Sequence, residues 1–216
     1  MLVSTRSKDV ISEKAIGNFL HKYFYTKLFD DCEMIEDTDR QVSGIDEVAD
    51  GMLIDNKAMS SPTYINNPSK TFITELLTHS KTGDPYLGWF LNNNLKTTHY
   101  LFVWIWNADV PEGAYITDEN QIKRLEVMLI DRQKLHELIN KHCSDKRLLA
   151  VAKDMVARSE RSRNISEFGY YNCPHFAHSI GLKEKPVNLV NPKWFLSQAA
   201  IKHCYVTPTE IFHLNP

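Results

Sequence analysis

Apolar residues recur early in the chain with the 3.6-residue period of a helix, and further on as short runs of strand length. Ile16, Phe19, Leu20, Tyr23, Phe24 and Leu28 fall on one helical face, which predicts a helix capped by Ser12 and running to about residue 29. Residues 30–39 are acidic and loop-like, with a short strand near Cys32. A strand is predicted over residues 40–48 and a second over 52–58, joined at Asp50-Gly51, a dipeptide that favours a two-residue hairpin turn. Residues 60–70 hold prolines, serines and asparagines and read as loop. Residues 71–78 read as a strand from their β-branched content, and Gly83-Asp84-Pro85 as a turn. Residues 99–106 form the most apolar run and predict a central strand. A further strand is expected over 124–130, with Asp131 capping a helix over 132–142. A helix over 145–159 is followed by what reads as loop and a Pro-rich tail. This succession fits an α/β chain with a central mixed sheet flanked by helices.

Composition changes the picture little. The chain has 216 residues, 43% hydrophobic and 24% charged, which is ordinary for a globular protein. No apolar run approaches the roughly 18 residues of a membrane span, and the first ten residues lack the apolar core of a secretory signal. A cytoplasmic protein without a membrane partner is the expectation. Cys32, Cys143, Cys173 and Cys204 are scattered with no CxxC, too sparse for a disulfide framework. Charge is more informative. Residues 1–140 carry 14 Lys+Arg against 21 Asp+Glu, while residues 141–216 carry 11 against 6. An acidic front and a basic back fit metal ligands in one part and phosphate contacts in the other, although such asymmetry is also common in soluble proteins.

The chemistry concentrates in residues 41–58, QVSGIDEVADGMLIDNKA. Strand periodicity puts Asp55 and Lys57 on one face of the second strand, with Asn56 on the other. The turn at Asp50-Gly51 lies midway between Asp46 and Asp55 and folds them together. Two adjacent carboxylates repel unless a cation neutralises them, and Mg²⁺ does so while keeping several waters. A lysine alongside supplies charge where negative charge builds on a phosphate.

This pattern resembles the PD-(D/E)XK, or restriction-endonuclease-like, nuclease superfamily, in which a helix precedes a β-hairpin bearing Asp and then (Asp/Glu)-x-Lys. The specific signal covers residues 44–58, and Ile45 stands where the motif name has proline. The resemblance implies a restriction-endonuclease-like core and Mg²⁺- or Mn²⁺-dependent hydrolysis of DNA phosphodiesters. It implies Asp46 and Asp55 as metal-binding carboxylates, Lys57 as catalytic lysine and Glu13, on the first helix, as a supporting acid; Glu36 is a second candidate for that last role. The backbone carbonyl of Asn56 and the carboxylate of Glu75 are candidate extra ligands, though a charge placed like Glu75 is more often simply solvated. Many relatives of this kind act as dimers, so a homodimer is an implied assembly. The bland alternative for Asp55 and Lys57 is a surface charge pair contributing about 0–1 kcal/mol. The alternative function is a catalytically inactive nucleic-acid-binding or protein-interaction module on the same fold.

Other features are weaker. Arg158, Arg161 and Arg163 are candidate DNA phosphate contacts, or a solvated loop. Cys173, His175 and His178, with His142, Cys143, His203 and Cys204, suggest zinc, but their spacing matches no closed zinc motif. Trp89, Trp104, Trp106 and Trp194 are candidates for stacking on bases, or core residues. The expected organisation is a nuclease core over residues 1–140, with a helical or irregular basic extension over 141–216.

Overall fold

A computed structural model of the chain describes residues 6–80, 82–169 and 171–214. The chain divides into two compact units, each assembled from separated segments. The first takes residues 6–69, Lys96–Lys134 and the chain from Ala199 onward; the second takes Lys70–Leu95 and Leu135–Gln198. Neither unit is a continuous stretch on one side of residue 140.

The first unit holds a seven-stranded mixed sheet in the order β1-β2-β3-β6-β7-β11-β12. Its strands are β1 (Cys32–Met34), β2 (Glu47–Ala49), β3 (Met52–Ala58), β6 (His99–Ala108), β7 (Ile122–Asp131), β11 (Ala200–Val206) and β12 (Ile211–His213). β3 and β6 run parallel, and every other pairing in this sheet is antiparallel. β6 is central, as its sequence predicts. Apolar residues at consecutive positions rather than alternate ones mark a strand buried on both faces, and Tyr100 through Ile105 are all buried.

One face of this sheet is covered by α1 (Arg6–Leu20), which continues through a π-helical turn (His21–Tyr25) into α2 (Thr26–Leu28). The predicted apolar stripe is present: Ile16, Phe19, Leu20 and Phe24 are in the core, with Tyr23 and Leu28 packed against it. Two details differ from the sequence reading. The helix is already formed at Arg6, so Ser12 lies inside it rather than at its start. Its buried hydroxyl donates to the carbonyl of Ile116 at 2.7 Å instead of capping. The π turn also widens the helix by one residue per turn and shifts its phase. Tyr25, off the α-helical stripe, therefore enters the core beside Phe24.

Residues 40–48 do not form one strand. Asp37 accepts a hydrogen bond from the backbone N–H of Arg40 and caps α3 (Thr38–Val42). That cap wins over the weak apolar spacing of Val42, Ile45 and Val48. Gly44, at φ +77°, leads out of the turn that follows, and the strand itself is short.

The second unit holds a five-stranded antiparallel sheet in the order β5-β4-β10-β9-β8. Its strands are β4 (Thr71–His79), β5 (Pro85–Leu87), β8 (Ser162–Arg163), β9 (His175–His178) and β10 (Val187–Pro192). α5 (Asp145–Ala157), capped by Ser144, buries Leu148, Val151, Ala152 and Met155 on one helical face and packs on β4, β9 and β10. α4 (Arg132–Asn140) precedes it, with the Asp131 carboxylate accepting from the N–H of Lys134 at 2.9 Å, as the sequence predicts. Beyond residue 160 the chain is richer in strands than its polar composition suggests. The observed class is therefore mixed α/β with helices against a mixed sheet. Among the described residues no helix is long and apolar enough to cross a membrane.

Candidate functional site

The β2–β3 hairpin builds the site. Asp50 (φ +46°) and Gly51 (φ +79°) both adopt the left-handed conformation that a tight two-residue hairpin turn requires. They set the register Ala49↔Met52, Val48↔Leu53 and Glu47↔Ile54. Asp46 lies at a bend immediately before β2, not on a strand as expected. Its N–H still donates to the Ile54 carbonyl at 2.8 Å, and its Oδ2 accepts from the N–H of Asn56 at 2.8 Å. The side chain thus takes the acceptor position that a continuing backbone ladder would supply, and this folds the Asp46 carboxylate over β3 towards Asp55.

Asp55 and Lys57 share a face of β3, as the two-residue period requires. The Lys57 ammonium lies 2.8 Å from Asp55 Oδ1. Asp55 is 3% exposed, and its other oxygen, Oδ2, is buried with no hydrogen-bond donor among the described residues. Burial pushes the Asp55 carboxyl up to about 7; Lys57 opposes this, while the negative charge of Asp46 adds to the rise. Burial works against the Lys57 charge, yet Asp55, followed by Asp46 and Glu13, holds the ammonium above the usual lysine range. Glu13 itself is an exposed residue of α1 whose charge reaches Lys57.

On the opposite face of β3, the Asn56 side chain accepts from the buried Tyr25 hydroxyl at 2.7 Å. Burial, then Glu47, Asp46 and Asp55, raises the Tyr25 phenol well above its usual value, so it stays a neutral donor. Tyr100 stands beside Asp55 across the parallel β3–β6 pairing. Burial raises its phenol to about 12 against the charge of the neighbouring Arg132, which favours the ionised form. Sequence reasoning missed Tyr25, Tyr100 and Arg132. Only Tyr100 left a signal, as the second residue of the central strand; the other two reach the site through the π turn and the start of α4.

The remaining candidates are placed as follows. Glu36 is exposed in the segment between β1 and α3. Glu75 is in β4 of the second unit, where its carbonyl accepts from Phe90 N–H at 3.1 Å. Arg158, Arg161 and Arg163 are also in the second unit. Arg158 pairs with Asp154 at 3.0 Å, and Arg163 pairs with Asp154 at 2.8 Å and with Glu160. Arg161 is exposed.

The zinc candidates fall in different units and have other partners. The His142 ring contacts the Glu167 carbonyl, His178 that of Glu160, His203 the buried Glu126 carboxylate, and Cys204 the ring of His213. Burial pushes the Cys143 thiol up to about 11. Trp104 is wholly buried, Trp106 donates to Glu126, and Trp194 is half exposed and donates to the Asn172 carbonyl.

Chemically, two neighbouring carboxyls beside an ammonium form a site whose negative charge a cation could neutralise. Comparison with protein-family models, with curated proteins and with solved structures finds no match to this chain.

Proposed function

We propose that this chain is a metal-dependent nuclease that hydrolyses DNA phosphodiesters on a restriction-endonuclease-like core, with Asp46, Asp55 and Lys57 as its centre. One observation carries the reading: a buried Asp55 carboxyl with a donorless Oδ2, under the charge of a second carboxyl, Asp46, and ion-paired to a lysine on the same strand face. An isolated buried carboxylate is costly, and a hard divalent cation, which takes oxygen ligands, would neutralise it. Asp46 and Asp55 would hold Mg²⁺ or Mn²⁺, with the Asn56 carbonyl as an added ligand. The ion would supply Lewis-acid activation of water and polarisation of a phosphoryl oxygen.

The chain's own residues do the rest. Lys57, ion-paired to Asp55, keeps a charged ammonium within reach of a phosphate placed at Asp55. Glu13 helps hold that charge. Tyr25 and Asn56 fix β3 from behind, so that the carboxylates do not swing away from each other.

Metal binding tests the centre. Mg²⁺ or Mn²⁺ at about a hundred times its Kd should stabilise the fold by about 2.7 kcal/mol, seen as a raised Tm. Asp46→Asn and Asp55→Asn should each remove that shift; a shift that survives in both variants places the metal elsewhere. Nicking and degradation of linear, single-stranded and branched DNA by the parent then test the activity. A chain that binds metal and DNA but cuts none of them is a binding module instead.

DNA contact by the basic segment gives a graded expectation. Arg161→Ala should lower the slope of log affinity against log salt by about one unit, the effect of one lost phosphate contact. Arg158→Ala and Arg163→Ala should lower it less, because Asp154 and Glu160 already neutralise those cations. Equal slopes for Arg161→Ala and the parent would reduce the segment to a solvated turn.

A further inference from the structure

Glu47 follows Asp46 in sequence but points to the other face of the sheet. It stands opposite Ile54, which is in the α1 core, so both side chains face α1. There the Glu47 carboxylate is 1% exposed and lies 2.8 Å from Nδ1 of His21. Cys32 enters from β1, paired across to Ala49, which puts its thiol on the same side as Glu47. One donor atom from each of His21, Cys32 and Glu47 lies within 4.8 Å of the other two. It is the only such cluster of three His, Cys or acidic side chains among the described residues.

We propose that His21, Cys32 and Glu47 form a zinc site at the edge of the sheet, with water as the fourth ligand. The donor set decides the metal class. An imidazole nitrogen, a thiolate and a carboxylate suit Zn²⁺, whereas Mg²⁺ selects oxygen ligands. A dication balances one thiolate and one carboxylate, leaving a neutral complex where the carboxylate is buried. The thiol proton passes to solvent as the metal binds. His21 and Cys32 are part-exposed and give the ion its route in, while Glu47 closes the inner side.

The backbone supplies a second, independent observation. His21 opens the π turn that interrupts an otherwise regular helix, and such turns concentrate at functional sites because they re-aim side chains. Here the turn brings His21 to β1 and β2 from α1, tying three elements at one point. The zinc site stands whether or not the nuclease reading does. If both hold, zinc also fixes the residue next to Asp46, making Glu47 a positioning residue for the neighbouring centre.

Cobalt titration of the purified full chain tests this. Co²⁺ replaces zinc in such sites and reports a thiolate ligand by a near-ultraviolet charge-transfer band. The parent should develop that band to one equivalent, and Zn²⁺ should abolish it. Cys32→Ser should lose the band, and His21→Gln should weaken binding by more than about tenfold. Cys204→Ser should keep it, which separates this site from the Cys204–His213 contact at 3.4 Å. Asp46→Asn and Asp55→Asn should also keep it, so the zinc site and the carboxylate centre fail or survive separately. No band in the parent, or a band that persists in Cys32→Ser, overturns the proposal. Should Cys32→Ser not fold, alkylation of Cys32 in the parent decides: zinc should slow it at least about tenfold, and equal rates with and without zinc overturn the site.

Discussion

At a pH high enough to ionise Asp55, Lys57→Ala should bind Mg²⁺ or Mn²⁺ about as the parent does and cut DNA about a hundredfold or more slowly. An ammonium has only donors and cannot ligate a cation, so its removal leaves the metal's oxygens in place. In the proposed reaction, what is lost is a positive charge aimed at the position where negative charge would grow on the phosphate. The removal of one such preorganised group costs about 10²–10³ in rate in well-studied enzymes. The loss should fall on kcat more than on DNA affinity, because the interaction strengthens in the transition state. Asp55→Ala should differ in kind and lose metal and activity together. Lys57 also neutralises Asp55, 2.8 Å away. Its loss should therefore raise the Asp55 pKa further and move the pH at which metal binds upward. Full activity in Lys57→Ala would show that the motif does not carry the chemistry.

The second large effect is on stability, in the metal-free protein. Asp55 titrates near 7 in the fold, chiefly because it is buried, against 3.8 for an ordinary aspartate. Between those values the folded chain holds a proton that the unfolded chain has released. Its contribution is therefore fully present below about pH 4 and is lost as pH rises through about 7. The amide introduced by Asp55→Asn cannot titrate and does not share that loss. From pH ~4.5 to pH ~8, the stability of Asp55→Asn relative to the parent should improve by about 2–4 kcal/mol, since each tenfold change in proton affinity is worth ~1.4 kcal/mol. Chemical denaturation at both pH values, without divalent ions, measures it. Mg²⁺ at the higher pH should close the gap, because a cation favours the ionised carboxylate. A difference that stays constant with pH would mean that Asp55 is an ordinary ionised partner of Lys57.

The hairpin was legible because short-range rules determine it. Asp50-Gly51 sets the turn, the turn sets the register, and the two-residue period sets which side chains share a face. The central strand was legible because β6 is apolar on both faces. Residues 40–48 were misread because one side-chain cap, Asp37 to Arg40, outweighs a weak apolar pattern that the eye extends too far. The π turn leaves no local trace in HKYFY, yet it decides where His21 and Tyr25 point. The strands beyond residue 160 are short or polar, and long-range pairing with β4 and β7 holds them in place. No window of sequence contains both partners of such a pairing, so local pattern cannot reveal it.

The interleaving of the two units bears on how the chain is made. β7 lies between β6 and β11, and β11 begins at Ala200, well over sixty residues after β7 ends at Asp131. At ~5–20 residues per second, a ribosome takes about 3–14 s to cover that distance. Where β6 and β7 pair before β11 is made, the first unit's sheet keeps an open edge along Leu125–Ile130, a mostly apolar stretch, for that interval. Such edges recruit other strands. Biosynthesis of this protein therefore places a seconds-long demand on whatever in the cell shields nascent strands, and a chain released early, before residue 200, would carry that adhesive edge permanently.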